Sequence, residues 1–141
     1  MSKVVSLRLK DDLLERLERV ARRLGRSPSG TAVLLLEEAL RQRDYPFIEF
    51  RDSPVGRQAY LKGTRLAVWQ VEWLARDYNG DVDKIAAHLD IPAVKVAAAL
   101  QYAAAYRDEI EAARADTYHA VEELRQFLPS LRVVEVDAAS A

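Results

Sequence analysis

The sequence predicts a mainly α-helical protein with short β segments, built as a small N-terminal unit followed by a larger one. Successive side chains of residues 4–9 would lie on opposite faces of a strand, and the pattern is that of a half-buried strand. The stretches behind them repeat apolar residues at helical spacing. Asp44-Tyr45-Pro46 then interrupts the helical pattern, because the residue before a proline disfavours the helical region. We therefore expect a first unit over residues 1–43.

Composition and charge narrow the class of protein. Half of the residues are apolar, so a globular chain is expected, and no apolar run reaches the roughly 18 residues of a membrane span. The chain has no cysteine and no signal-peptide pattern, which together favour a cytoplasmic protein. Basic residues dominate residues 1–43 and acidic residues dominate 107–141. The basic start suits a polyanion, and the acidic end suits a basic partner or is simply a solvated face.

The first unit reads as a strand followed by two helices. Val5, Leu7 and Leu9 would lie on one face of the strand, and Val4, Ser6 and Arg8 on the other. Two acidic residues, 11 and 12, open the first helix, and Gly25 is placed to end it in a left-handed conformation. Ser27 is a favourable N-cap for the second helix, with Pro28 at its first position.

The second helix is apolar nearly all round and must be enclosed on more than one side. About forty residues rarely build a sufficient core alone. Burial therefore predicts an intertwined homodimer in which two strands pair and the helices interleave. The apolar residues concerned are Ala32, Val33, Leu34, Leu35, Leu36, Ala39 and Leu40.

This first unit resembles the ribbon-helix-helix proteins of the CopG, Arc and MetJ kind. The resemblance is carried by Val5-Ser6-Leu7-Arg8-Leu9 and by residues 24–29, Leu-Gly-Arg-Ser-Pro-Ser. It implies that Val4, Ser6 and Arg8 face DNA bases in the major groove, and that Ser27 and Ser29 lie near a backbone phosphate. The alternative is a strand that only dimerises, with Ser6 and Arg8 solvated.

The second unit, residues 44–112, is predicted to begin with a β-hairpin formed by residues 48–51 and 57–61. Three helices should follow, over about 68–78, 82–89 and 92–106, with Trp69 and Trp73 in the core. The last two have helix-turn-helix spacing, with Asp90 where the turn often carries glycine. The expected exposed face of the third helix is poor in polar groups, which favours a structural or protein-binding use over DNA reading. That face comprises Ala93, Lys95, Ala97, Ala98 and Gln101.

The same region resembles the domain-of-unknown-function 433 family. The resemblance covers about residues 46–112. It is carried by Gly63-Thr64-Arg65-Leu66 followed by Val68-Trp69, by Ala99-Leu100 with Tyr102, and by Glu109-Ile110. That family is similar to antitoxins of the VapB kind, so the resemblance implies a PIN-like ribonuclease toxin as partner.

The tail, residues 113–141, is predicted to contain an amphipathic helix capped by Asp116 or Thr117 and ending near residue 128, then a strand over 131–136. These elements would lie along a partner or pack on their own domain, with residues 133–136 pairing with 48–51. The candidate partner-binding residues are Tyr118, Val121, Leu124, Leu128 and Val133.

No convergent catalytic or metal-binding pattern is present, since neither His88 nor His119 lies in a motif. We therefore expect no enzyme activity, no metal and no cofactor. The leading hypothesis is the antitoxin of a type II toxin–antitoxin pair that binds operator DNA as a homodimer or higher oligomer and represses transcription. The alternatives are a stand-alone ribbon-helix-helix repressor and a protein-interaction scaffold without a DNA role.

Overall fold

The computed structural model describes residues 2–128. Within that range the chain has six helices and one two-stranded antiparallel sheet, which confirms a mainly α-helical protein with a short β-hairpin. The chain divides into two compact units between Arg41 and Gln42, two residues before the predicted boundary. No helix of the described range is long and apolar enough to cross a membrane.

The two helices of the first unit begin and end where their capping residues predict. Helix α1 spans Asp11–Leu24 and α2 spans Pro28–Asp44. Gly25 has φ 65° and ψ 34°, the left-handed conformation that ends α1 and that glycine adopts without a steric penalty. The Ser27 Oγ accepts the backbone N–H of Gly30 at 3.0 Å, so the predicted N-cap of α2 is confirmed.

The N-terminal segment is the main departure in this unit. Residues 2–10 form no helix or strand in this single chain, so the strand predicted for residues 4–9 is not formed within it. A strand exists only when a neighbouring strand accepts and donates its backbone hydrogen bonds. The neighbour expected from the sequence is a second copy, and that pairing stays a prediction.

The second unit opens with the predicted hairpin. Strand β1 spans Ile48–Ser53 and β2 spans Gly56–Leu61, in a register that runs from Ile48 opposite Leu61 to Ser53 opposite Gly56. The two-residue connection at 54–55 makes both strands slightly longer than expected. The next turn is held by Thr64, whose Oγ1 donates to the Leu61 carbonyl at 2.8 Å and accepts the Leu66 N–H at 3.0 Å.

Four helices complete this unit and build its core. They are α3 at Val68–Asp77, α4 at Val82–Leu89, α5 at Ala93–Ala105 and α6 at Arg107–Phe127. The first three agree with the prediction to within one or two residues. Apolar side chains from the hairpin and all four helices form one cluster. Its largest fully buried members are Tyr102, Ile48, Leu61, Ile85, Val68, Val71 and Val96.

The α4–α5 connection has a geometry compatible with a helix-turn-helix. Asp90 ends α4 with φ 53° and ψ 48°. This left-handed conformation is the one that glycine usually supplies at such a turn, and aspartate tolerates it better than most residues. The presence of Asp90 in place of glycine is therefore consistent with the tight connection.

The last helix begins earlier than predicted. The N-cap proposed at Asp116 or Thr117 is wrong, because α6 already begins at Arg107. Thr117 lies inside it and donates its Oγ1 hydrogen to the Ala113 carbonyl at 2.9 Å. Neither glycine nor proline occurs between residues 107 and 127, and Ile110 anchors the first turn in the core. The predicted division between residues 112 and 113 therefore falls inside one continuous helix, and the strand predicted at 131–136 lies outside the described residues.

Candidate functional site

The predicted base-reading residues lie on the most exposed part of the first unit. Every described residue from 2 to 10 is exposed, including Val4, Ser6 and Arg8. Lys3 and Lys10 flank them, so the segment has three positive charges and no negative one. A basic and accessible segment is chemically suited to a phosphate-lined groove.

The N-terminus of α2 lies in the same unit. Ser27 is its N-cap, and Ser29 is the second helical residue and is exposed. The first N–H groups of an α-helix have no intrahelical acceptor, and they carry the positive end of the helix dipole. In α2, however, Pro28 has no N–H and the Gly30 N–H already bonds to the Ser27 Oγ, so a phosphate near Ser27 and Ser29 stays a prediction.

The first unit leaves most of its large apolar side chains uncovered. On α2, Val33, Leu36 and Leu40 are 65%, 55% and 54% exposed. These three are spaced by three and four residues, so they share one face of the helix. The exposed set also includes residues of the N-terminal segment and of α1. Its further members are Val4, Val5, Leu7, Leu9, Leu13 and Leu14.

The interior of this unit differs from the sequence expectation. The described residues that are buried here are Ala21, Thr31 and Glu38. Thr31 donates its Oγ1 hydrogen to the Ser27 carbonyl at 2.9 Å, which satisfies the hydroxyl without solvent. Apolar patterning could not have identified Thr31 and Glu38, because both are polar.

The exposed face of α5 is apolar rather than base-reading. Of the five positions predicted to be exposed, Gln101 is exposed, whereas the other four are half-buried. Val94, which the prediction omitted, is 57% exposed. This surface offers few hydrogen-bonding groups to base edges, which is consistent with the prediction that α5 does not read DNA.

Trp73 is not a core residue, contrary to the prediction. It lies on the surface, and the guanidinium groups of Arg76 and Arg114 lie over its ring, with their Cζ atoms 4.6 Å and 4.7 Å from the ring centroid. Glu111 bonds both arginines, at 2.6 Å to Arg76 and 2.9 Å to Arg114. Hydrogen bonds from Arg114 and then Arg76 lower the pKa of Glu111. Trp73 therefore stacks with charged groups that link α3 to α6.

The predicted partner-binding residues on α6 fall into two groups. Tyr118 and Val121 are in the middle of the helix, and the Tyr118 ring lies 6.5 Å from that of Trp69. Leu124 and Leu128 lie at its end and are about half exposed, while Phe127, which the prediction omitted, is 81% exposed. Its spacing of three from Leu124 is the signal that could have identified it. Val133 lies outside the described residues.

His88 and the residue types that bind metals bear on other kinds of chemistry. His88 is half-buried, and its Nδ1 forms a 2.7 Å hydrogen bond with the Tyr78 hydroxyl. Residues 2–128 contain no group of three His, Asp or Glu side chains that could hold a metal ion.

Comparisons with protein-family models, curated proteins and solved structures found no match to this chain. The two family resemblances therefore depend on the quoted residues and spacings alone. The surfaces just described are the physical basis for a functional proposal.

Proposed function

We propose that this protein is a homodimeric DNA-binding antitoxin. Two copies of residues 4–9 would pair as a ribbon that reads operator DNA and represses transcription. The second unit would bind and neutralise a PIN-like ribonuclease toxin. The observation that carries the DNA-binding half is the uncovered apolar surface of the first unit together with its basic, exposed N-terminal segment.

Dimerisation follows from that apolar surface. Burial of a leucine or valine contributes about 1.5–3 kcal/mol, and the first unit leaves Val33, Leu36 and Leu40 largely uncovered. Contiguous exposed apolar patches of this kind mark interaction sites. A second copy offers the same apolar residues and would cover them in a symmetric manner.

Pairing of the N-terminal segments would then place alternate side chains on opposite faces of the ribbon. Alternation along a strand turns Val5, Leu7 and Leu9 toward the helices of the dimer and leaves Val4, Ser6 and Arg8 on the outer face. A two-stranded ribbon fits the major groove, where Arg8 can bond guanine with two hydrogen bonds, Ser6 is less selective and Val4 can contact a thymine methyl. The exposed α2 N-terminus at Ser27 and Ser29 would hold a flanking phosphate.

Arg8→Ala tests this readout. The substitution should weaken binding to a duplex from the gene's own upstream region by at least about tenfold, since a bidentate arginine–guanine pair is worth about 1–3 kcal/mol. Binding to a scrambled duplex should change much less. Fluorescence anisotropy with both duplexes, at one stated salt concentration, measures the ratio.

The matched control is Arg19→Ala, which removes the same charge from an exposed position on α1. It should leave the specificity ratio unchanged. Equal ratios for the wild-type protein and Arg8→Ala would contradict the proposal that the segment reads bases.

Toxin binding is supported by the end of α6. Leu124, Phe127 and Leu128 project apolar atoms from a helix whose other side chains there include Glu122, Glu123 and Arg125. An amphipathic helix of this kind suits an apolar groove with a basic rim. The adjacent gene product is the protein to test, because toxin and antitoxin are encoded as a pair.

Leu124→Asp should abolish co-purification with the adjacent gene product while leaving the circular dichroism spectrum and DNA binding intact. Leu124 is 51% exposed, so its replacement should change the free energy of unfolding little. His119→Asp adds the same charge at an exposed site on α6 and should retain binding. Capture that survives Leu124→Asp would place the toxin-binding surface elsewhere. If the wild-type protein captures no adjacent product, a repressor without a toxin is the better description.

A further inference from the structure

The second unit carries a cluster of positive charges at the turn after β2. Lys62 and Arg65 lie in this turn and are exposed. The Nζ atom of Lys95 on α5 lies 4.0 Å from the position that a Cβ atom would take on Gly63. Lys62 directly precedes Gly63, and Arg65 follows it by two peptide units, which span at most about 7.6 Å between Cα atoms. The backbones of Lys62 and Arg65 and the Nζ atom of Lys95 are therefore all close to Gly63. We call Lys62, Arg65 and Lys95 the basic turn cluster.

The local acid does not neutralise this cluster. Glu49 forms an ion pair with Arg51 and also accepts the Gly63 N–H. The hydrogen bond from Arg51, more than the charge of Lys62, lowers the pKa of Glu49. Within residues 2–128, none of the three cluster residues forms a salt bridge with a carboxylate. Glu49 is therefore already paired with Arg51, and no salt bridge offsets the charge of the cluster within the described residues.

The grouping of these positive charges is notable because the surrounding unit is acidic. Residues 42–128 contain eleven Lys and Arg against fourteen Asp and Glu. Like charges within about 10 Å repel one another at ordinary ionic strength, and a bound anion would relieve that repulsion. Lys95 is also the third residue of α5, so the positive end of that helix dipole adds to the field.

We infer that the basic turn cluster binds the phosphate backbone of double-stranded nucleic acid, as a second contact outside the base-reading segment. The cations are spread over an exposed turn and a helix end, which suits a row of phosphates. The exposed side of α5 offers Val94 and Gln101 rather than a set of base-reading groups, so the contact would add affinity without sequence preference. DNA as the ligand rests on the proposed function, whereas the presence of an anion site does not.

A triple substitution, Lys62→Gln, Arg65→Gln and Lys95→Gln, tests the inference in the full-length protein. Binding to the gene's upstream duplex and to a scrambled duplex should weaken by the same factor, about tenfold or more at low salt. The slope of log Kd against log salt should fall by about one for each phosphate that the protein no longer neutralises. The specificity ratio should stay at its wild-type value, in contrast to the effect of Arg8→Ala.

The matched control is Lys84→Gln, Arg107→Gln and Arg125→Gln, which removes three charges from exposed positions elsewhere in the same unit. It should leave the salt slope close to that of the wild-type protein. Urea denaturation of both triple variants checks folding. If the cluster variant unfolds early, the single variant Lys95→Gln should still lower the slope by about one.

The outcomes separate this inference from the proposed function. An unchanged slope in the cluster variant, with specificity still lost in Arg8→Ala, overturns the cluster inference alone. A lowered slope in the cluster variant, when the wild-type protein shows no sequence preference, supports the cluster and overturns base reading by residues 4–9. Loss of binding to the adjacent gene product with an unchanged DNA slope would make the cluster a protein-binding surface and overturn the inference. Absence of any duplex binding by the wild-type protein overturns both proposals.

Discussion

Leu36→Glu is expected to dissociate the proposed dimer and, with it, to abolish the proposed operator binding. A buried leucine contributes about 1.5–3 kcal/mol, and a symmetric interface loses it twice, so the dimer should weaken by about 100- to 10,000-fold. A buried carboxylate adds a further penalty. Sedimentation velocity measures the dissociation, and anisotropy with the upstream duplex measures the loss of DNA binding.

This prediction distinguishes a dimer from a monomer because Leu36 is 55% exposed in the single chain. If the protein acted as a monomer, an exposed substitution should change stability by no more than about 0.5 kcal/mol. Gln42→Glu is the control, because it places the same charge at an exposed polar position of α2. A Leu36→Glu protein with the wild-type mass and wild-type DNA affinity would rule out the proposed dimer interface.

Tyr102→Ala should produce the largest loss of stability in the second unit, about 3–5 kcal/mol, as for other large-to-small aromatic replacements in a core. Tyr102 is fully buried, and its ring centroid lies 5.3 Å from that of Tyr45, 6.2 Å from Phe50 and 4.7 Å from Tyr106. The side chain thus joins α5 to the hairpin side of the core. Urea denaturation followed by tryptophan fluorescence reports on this unit, since both tryptophans lie in it.

Tyr102→Phe separates packing from hydrogen bonding. The Tyr102 hydroxyl donates to Glu109 Oε2 at 2.7 Å, and Glu109 is exposed and can be rehydrated. The expected cost is therefore about 1 kcal/mol, well below that of the alanine variant. Tyr118→Ala, at an exposed aromatic position, should also cost less. Similar losses for Tyr102→Phe and Tyr102→Ala would show that packing around this ring contributes little.

Sequence reasoning predicted those elements whose ends carry a local chemical signal. Gly25 and the Ser27-Pro28 pair define the α1–α2 junction through backbone conformation and side-chain capping, which depend on neighbouring residues only. Asp81 similarly caps α4, accepting the Lys84 N–H at 3.2 Å. The hairpin and α3–α5 were predicted for the same reason, because turns and periodic apolar residues mark them.

Elements without such signals were misjudged. The α5–α6 junction lies at Tyr106, with neither glycine nor proline to mark it, so α6 was expected to begin at residue 116 or 117 rather than at Arg107. Trp73 is predicted in the core because of its size, but it is exposed and stacks with Arg76 of α3 and Arg114 of α6. The contact with Arg114 is tertiary and has no counterpart in local spacing.

The same distinction between local patterns and tertiary contacts applies to the candidate site. Alternation in residues 4–9 is a local pattern, so Val4, Ser6 and Arg8 could be proposed from the sequence. The basic turn cluster could not, because Lys95 is 30 or more residues away along the chain from Lys62 and Arg65 and reaches Gly63 only in the folded unit. Phe127 lies inside the predicted helix, and its spacing of three from Leu124 is a local signal that the sequence prediction left unused.

Pairing of residues 4–9 between two copies is the central claim, and a distance measurement between spin labels tests it most directly. The chain has no cysteine, so Lys3→Cys carries a single label per copy. Antiparallel pairing of residues 4–9 sets residue 3 opposite residue 10 of the second copy, and a rise of about 3.3 Å per residue then separates the two labels by about 25 Å. Double electron–electron resonance should give one narrow distance near that value. A trace without dipolar modulation, or a broad distribution of distances, would contradict the paired ribbon.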